Sequence, residues 1–133
     1  MSSLYTEIIQ DAYRRPHYRG ELPGATHSYE DENPLCGDRL RVDLRIQHGR
    51  IADARFTGNG CVISQAAMEL LLGRLEGQPL SAVDRLDHRA VLEELGLPTI
   101  SPARLKCALL SVAVIKGALR NGSRAERDVS LAE

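Results

Sequence analysis

Polar and apolar side chains alternate most sharply between Asp38 and Gln47, where Leu40, Val42, Leu44 and Ile46 fall on one side and Arg39, Arg41, Asp43 and Arg45 on the other. A period of two marks a half-buried β-strand. His48-Gly49 then supplies a two-residue turn, and Ile51 through Phe56 is expected to return antiparallel with Ala52, Ala54 and Phe56 on one face. Such a hairpin carries Asp38 at its open end, close to where the returning strand runs into Gly58-Asn59-Gly60-Cys61.

Helical spacing takes over on either side. Leu4, Ile8, Ile9 and Ala12 form an amphipathic stripe that Ser3 can cap, giving a helix to about Tyr13 that Pro16 ends. The stretch from His17 to Pro34, rich in Gly, Pro and charge, reads as a connection. Ser64 is expected to cap a helix through Leu75 with a broad apolar face of Ala67, Met68, Leu70, Leu71 and Leu72, broken by Gly77 and Pro79. Ser81 and Asp84 have capping-box spacing ahead of a short helical segment, and a further helix should cover Arg89 to Leu95. Ser101 as cap and Pro102 in the first turn announce a last helix to about Leu119, stopped by Asn121-Gly122. Its two stripes, one of Leu105, Leu109, Val112 and Leu119 and one of Cys107, Leu110, Ser111, Val114 and Ala118, require packing on more than one face. The tail from Ser123 is expected to fray. The order of elements predicts an α+β fold, a small antiparallel β-sheet packed against several α-helices, in a single domain spanning 1–133.

Composition narrows the function classes. A chain of 133 residues can bury roughly two-thirds of its unfolded surface without a staple. With 17 basic and 18 acidic side chains the net charge is −1, so no broad cationic field exists to drive nucleic-acid binding. Lacking Trp and holding a single Phe, Phe56, the chain has little aromatic surface for stacking bases. No apolar run reaches membrane-spanning length, and the amino terminus meets Glu7 before any secretory pattern develops. An odd count of three cysteines without an export signal points to the cytoplasm, where thiols serve metals or chemistry.

Those three cysteines are the chemistry to explain. Cys36 lies in Asn33-Pro34-Leu35-Cys36-Gly37-Asp38, Cys61 in Gly58-Asn59-Gly60-Cys61-Val62-Ile63-Ser64, and Cys107 in Arg104-Leu105-Lys106-Cys107-Ala108. Singly, each can be a small buried hydrophobe, and Cys107 on a packed helix suits that description. The two glycines before Cys61 permit close backbone approach, and a following helix would lower its thiol pKa. Asp38 brings a hard oxygen two residues from Cys36. The common zinc-knuckle spacing is missing, so spacing alone is weak evidence. Three thiolates and one carboxylate around a common ion nevertheless suit tetrahedral zinc or an iron–sulfur cluster. His17, His27, His48 and His88 have no spacing that selects one as a ligand.

Taken in order along the chain, Leu4-Tyr5 through Pro16, the Asn33-Pro34-x-Cys36-Gly37-Asp38 loop, Gly58-x-Gly60-Cys61-x-Ile63-Ser64 and Arg104-x-Lys106-Cys107-Ala108 resemble the IscU/SufU family of iron–sulfur cluster assembly scaffolds, related to the amino-terminal domain of NifU. The resemblance implies an exposed site made by Cys36, Asp38, Cys61 and Cys107. In the SufU branch such a site holds zinc and accepts persulfide sulfur from a cysteine desulfurase, and this transfer role is the leading expectation. In the scaffold branch the same ligands build a [2Fe–2S] cluster from iron and sulfide for acceptor or carrier proteins, which is the alternative. A purely structural zinc module is a further alternative.

The sequence departs from the scaffold pattern in two places. Lys106 stands before Cys107 where a His is common, and Ser101-Pro102-Ala103-Arg104-Leu105 replaces the stretch read by a dedicated Hsp70-type chaperone, so that partner is not implied. Cys36, on a loop, is expected to be the sulfur acceptor in the transfer role and Cys107 in the scaffold role. Arg104, one helical turn before Cys107, is placed to steady a persulfide anion.

Overall fold

A computed structural model describes residues 6–34 and 37–121 of the protein. Three strands, β1 (His27–Glu32), β2 (Arg39–Gln47) and β3 (Arg50–Asn59), form an antiparallel sheet in the order β1-β2-β3. Among the described residues five helices accompany it: α1 (Glu7–Arg14), α2 (Val62–Leu75), α3 (Ser81–Asp84), α4 (His88–Leu95) and α5 (Pro102–Asn121). The α+β class expected from the sequence is the class observed. No helix among the described residues is long and apolar enough to cross a membrane.

The period-two pattern of β2 does what it predicts. Leu40, Val42 and Leu44 are fully buried and join Ala54 and Phe56 of β3 in one hydrophobic core with α2 and α5. Each of the larger side chains, Leu40, Val42, Leu44 and Phe56, contributes roughly 1.5–3 kcal/mol relative to exposure. The return strand differs from expectation at one position. Arg45 pairs with Asp53 but Ile46 pairs with Ile51, so Ala52 is an extra residue opposite the β2 ladder and is exposed, not core-facing. This irregularity puts Ile51 and Ala54 both inside, which a strict alternation forbids.

Strand β1 corrects the reading of 17–34 as connection throughout. Its sequence, His-Ser-Tyr-Glu-Asp-Glu, has weak strand propensity, and tertiary pairing makes it a strand. Tyr29 pairs with Val42, and its ring lies so close to Gly117 of α5 that a Cβ there would overlap it. The segment before β1 acts as a strap. Phe56 N–H donates to Tyr18 C=O and Gly20 N–H to Phe56 C=O, both at 2.7 Å, extending the outer edge of β3. Glu69 of α2, buried, accepts from the N–H groups of His17 (2.7 Å) and Tyr18 (3.0 Å). Burial, then the hydrogen bond and negative charge of Glu76, push the Tyr18 phenol up to about 12.

Helix starts are displaced from several expected caps. Thr6 caps α1, its Oγ1 accepting from Ile9 N–H at 3.2 Å; the expected cap, Ser3, and Leu4 lie outside the described residues. Cys61, with extended backbone, is the residue before α2, and Ser64 lies inside the helix, its hydroxyl donating back to Cys61 C=O at 3.1 Å. Asp87 caps α4, which begins at His88; its carboxyl is held below the usual range chiefly by the Ala90 N–H it accepts from. Ser81 is the first residue of α3 and does not cap it. Helix α2 is apolar nearly all round and is packed by α1, α4, α5 and β3, while α5 lies against β1, β2 and α2. The expectation that α5 packs on more than one face holds.

Candidate metal centre

Three elements deliver side chains to one corner of the molecule. The β1–β2 connection is closed by Asn33 N–H donating to Asp38 C=O (2.8 Å) and Gly37 N–H to Asn33 C=O (2.7 Å), with Gly37 in the left-handed region at φ +76°. That closure places Asp38 just ahead of β2, only 5 % exposed. From the other strand of the hairpin, β3 ends at Asn59 and passes through Gly60 to Cys61 at the head of α2. Cys107 comes from the second turn of α5, whose start is held by Arg104 N–H donating to Ser101 Oγ at 3.4 Å.

Gly60 is required by the carboxylate. A Cβ on it would stand 2.6 Å from Asp38 Cγ and 2.7 Å from Oδ1. The close approach lets Cys61 N–H donate to Asp38 Oδ1 at 3.2 Å, tying the strand to the head of α2. The second oxygen, Asp38 Oδ2, is buried with no hydrogen-bond partner. A buried carboxylate oxygen without a donor is costly, and a cation is the usual remedy.

One ligand atom each from Asp38, Cys61 and Cys107 lies within 4.8 Å of the other two. Among the described residues no other group of three His, Cys, Asp or Glu converges in this way. Zinc bound by thiolates at about 2.3 Å in a tetrahedron sets its donors about 3.7 Å apart, so the cluster needs a contraction of about 1 Å at most. The donor set therefore fits zinc, with two soft sulfurs and one hard oxygen already gathered. Cys36 lies outside the described residues. Arg104 and Lys106 line the same open cleft of about 520 Å³ as Cys61 and Cys107, together with Asn33. The histidines are elsewhere: His17 on the strap, His27 opening β1, His48 in the hairpin turn and His88 opening α4.

The sequence reading did not find two parts of this corner. Asn33 as a loop clasp and lining residue carried no signal beyond its place before Pro34. The pressing of Gly60 on Asp38 could have been suspected from a glycine pair flanking Asn59, which is unusual at the end of a strand.

Residues 4–127 match the NifU-like N-terminal domain family. The chain belongs to that family. An IscU iron–sulfur cluster assembly scaffold protein from Thermotoga maritima is 32 % identical, the match covering 91 % of this chain and 96 % of that one. The zinc-dependent sulfurtransferase SufU of Bacillus subtilis is 28 % identical over 84 % of this chain and 86 % of its own. In fold, the SufU crystal structure from Fervidobacterium islandicum AW-1 superposes with a TM-score of 0.73 at 24 % identity, covering 86 % of this chain and 96 % of that one. The NifU-like N-terminal structure from Brucella abortus gives 0.72 at 17 % identity, covering 86 % and 91 %. This NifU-like N-terminal protein is thus a member of the IscU/SufU family of iron–sulfur cluster assembly scaffolds, with relatives of both names.

Proposed function

We propose that this protein holds zinc through Cys36, Asp38, Cys61 and Cys107 and accepts persulfide sulfur from a cysteine desulfurase, for passage to iron–sulfur acceptor or carrier proteins. The observation that supports this most is the gathering of Asp38, Cys61 and Cys107 around a common point beside a cleft carrying two cations. Cys36 is two residues before Asp38 in the chain, and the proposal assigns it as the fourth donor. Zinc, when bound, would keep the sulfurs deprotonated at neutral pH.

The sulfur step needs one thiolate from the chain. The Cys36 thiolate attacks the outer sulfur of the desulfurase persulfide; a new S–S bond forms, the old one breaks, and its electron pair leaves on the desulfurase thiolate. The persulfide now carried on the chain is anionic, and Arg104 in the cleft stabilises it. Asp38, a carboxylate among thiolates, is the donor most readily exchanged.

The test combines metal analysis with a desulfurase assay. Stimulation of cysteine desulfurase turnover with zinc retained, and persulfide mapped to Cys36, is the expected outcome. Persulfide on Cys107 alone would reassign the acceptor. A coloured, releasable cluster built under anaerobic conditions, without stimulation, would favour the scaffold reading, in which [2Fe–2S] is cargo and Cys107 the acceptor; the unpartnered Asp38 Oδ2 is the observation that keeps this reading open. Loss of the fold on chelation with no sulfur uptake would leave a structural zinc module.

A further inference from the structure

A second cleft, of about 600 Å³, shares no lining residue with the cysteine cleft. Its walls are Tyr13 and Arg14 from the end of α1, Arg19 from the strap, the Gly58-Asn59-Gly60 segment, and Gln65 of α2. The two arginines share one cleft, and no carboxylate lines it with them. Arg39, Arg41, Arg45, Arg55 and Arg74 all pair with carboxylates. Among the described residues Arg14 and Arg19 have no ion pair, and Arg19 instead rests over the Phe56 ring, 5.4 Å from its centre.

Gln65 supplies an independent signal. It is 6 % exposed, and its Nε2 donates to Gly60 C=O at 3.0 Å, which fixes the orientation of the amide. Oε1 is left as a buried acceptor with no donor. A site that offers two unpaired guanidinium forks and one unmet acceptor is complementary to an anion that also carries a hydrogen-bond donor.

We propose that this cleft binds the free carboxyl terminus of a partner polypeptide. A chain terminus places its carboxylate on the Arg14 and Arg19 forks, where planar bidentate pairing is favoured, and brings the N–H of its last peptide bond within one residue of that carboxylate for Gln65 Oε1. The Tyr13 hydroxyl, on a side chain 40 % exposed, is a further donor at the mouth. A sulfate or a phosphate monoester dianion satisfies the arginines but has no donor for Gln65. The proposal is independent of the metal centre, whose ligands line the other cleft.

Fluorescence anisotropy with a labelled Gly-Ser-Gly-Ser-Ala-Leu peptide tests it. Binding of the free-carboxyl peptide to the full chain is expected, weakened by about tenfold or more when the peptide is amidated and by a similar factor in the R14Q/R19Q double variant. Both arginines are exposed and only the Arg19 contact with Phe56 is lost, so the variant should melt within a few degrees of the wild type. Equal affinity for the free and amidated peptides, an unaffected double variant, or no binding at about 1 mM peptide would overturn the proposal. Competition by sulfate as effective as by unlabelled peptide would overturn it as well, leaving a general anion site.

Discussion

The β2–β3 hairpin ends in glycines at both extremities, and they are there for opposite reasons. At the closed end, His48 and Gly49 take φ of +55° and +73°, and a Cβ on Gly49 would meet nothing within 4 Å. Only backbone conformation selects glycine there. At the open end, a Cβ on Gly58 would collide with Arg39 C=O and stand 2.7 Å from Leu40 Cδ2, and one on Gly60 would enter the Asp38 carboxyl group. Space alone selects Gly58, and Gly60 is selected by space and by its φ of +153° together. One end is a local turn that any fold could use, and the other is a tertiary junction where backbone is thinned so that a carboxylate, a helix head and a thiol can share a corner.

The comparison breaks most clearly at Gly58. Gly58→Ala drives a methyl into backbone that cannot move without parting β2 from β3, and is expected to destabilise by about 3 kcal/mol, lowering Tm by about 10 °C. A melt within a couple of degrees of the wild type would show that the strand pair can yield. Gly60→Ala is expected to cost about 2 kcal/mol, from holding an L-residue at φ +153° and from a methyl 2.9 Å from Asp38 Cβ, with the carboxyl group pushed aside. The displaced carboxyl gives up the Cys61 N–H, so zinc affinity is expected to fall by about tenfold or more in a competition titration with a chelator. Unchanged affinity alongside a lowered Tm would separate Asp38 from metal binding.

This asymmetry also explains what the sequence could reveal. Strand β2 was legible because Leu40, Val42 and Leu44 state the period of two without help from the rest of the chain. Strand β1 was not, since Tyr29 becomes a strand residue only by lying between Val42 and Gly117, residues far away in sequence. Ala52 was misplaced for a related reason: an extra residue in one strand leaves no mark in composition, and its effect is seen only against the partner strand. Of the site, the residue types at Asp38, Cys61 and Cys107 were readable from their motifs, whereas the clasp by Asn33 and the cradle at Gly60 exist only once the two strands and α2 meet. Arg14, Arg19 and Gln65 come from three elements and have no common pattern in the chain.

Asp38→Ala sharpens the junction from the other side, since it empties the space that Gly60 preserves. Asp38 Oδ1 is held by the Cys61 N–H while Oδ2 is left to coordinate, so the donor that the proposal assigns to Asp38 is a single hard oxygen among thiolates, the one most readily exchanged. With Ala that labile donor is gone, and the Cys61 N–H is free to donate to a cluster sulfur. A reconstituted [2Fe–2S] cluster is therefore expected to pass to an apo-acceptor more slowly than from the wild type, followed by absorbance under anaerobic conditions. Faster loss from the variant would count against Asp38 as the labile donor.

The smallest effect belongs to the closed end. Gly49→Ala places a Cβ in open space, so the only penalty is holding an L-residue in the left-handed region, about 1 kcal/mol. Because β3 carries the chain about 30 Å from that turn to Gly60, a change confined to local conformation should not be felt at the junction. Zinc stoichiometry and the chelator competition curve are expected to match the wild type while the denaturation midpoint shifts modestly. If the Gly49 variant lost zinc in proportion to its lost stability, the hairpin would be acting as one lever with the site at its far end. The two kinds of glycine would then be coupled through register, and the contrast between a conformational and a steric requirement would have to be replaced by one between strong and weak positions in a single cooperative pair of strands.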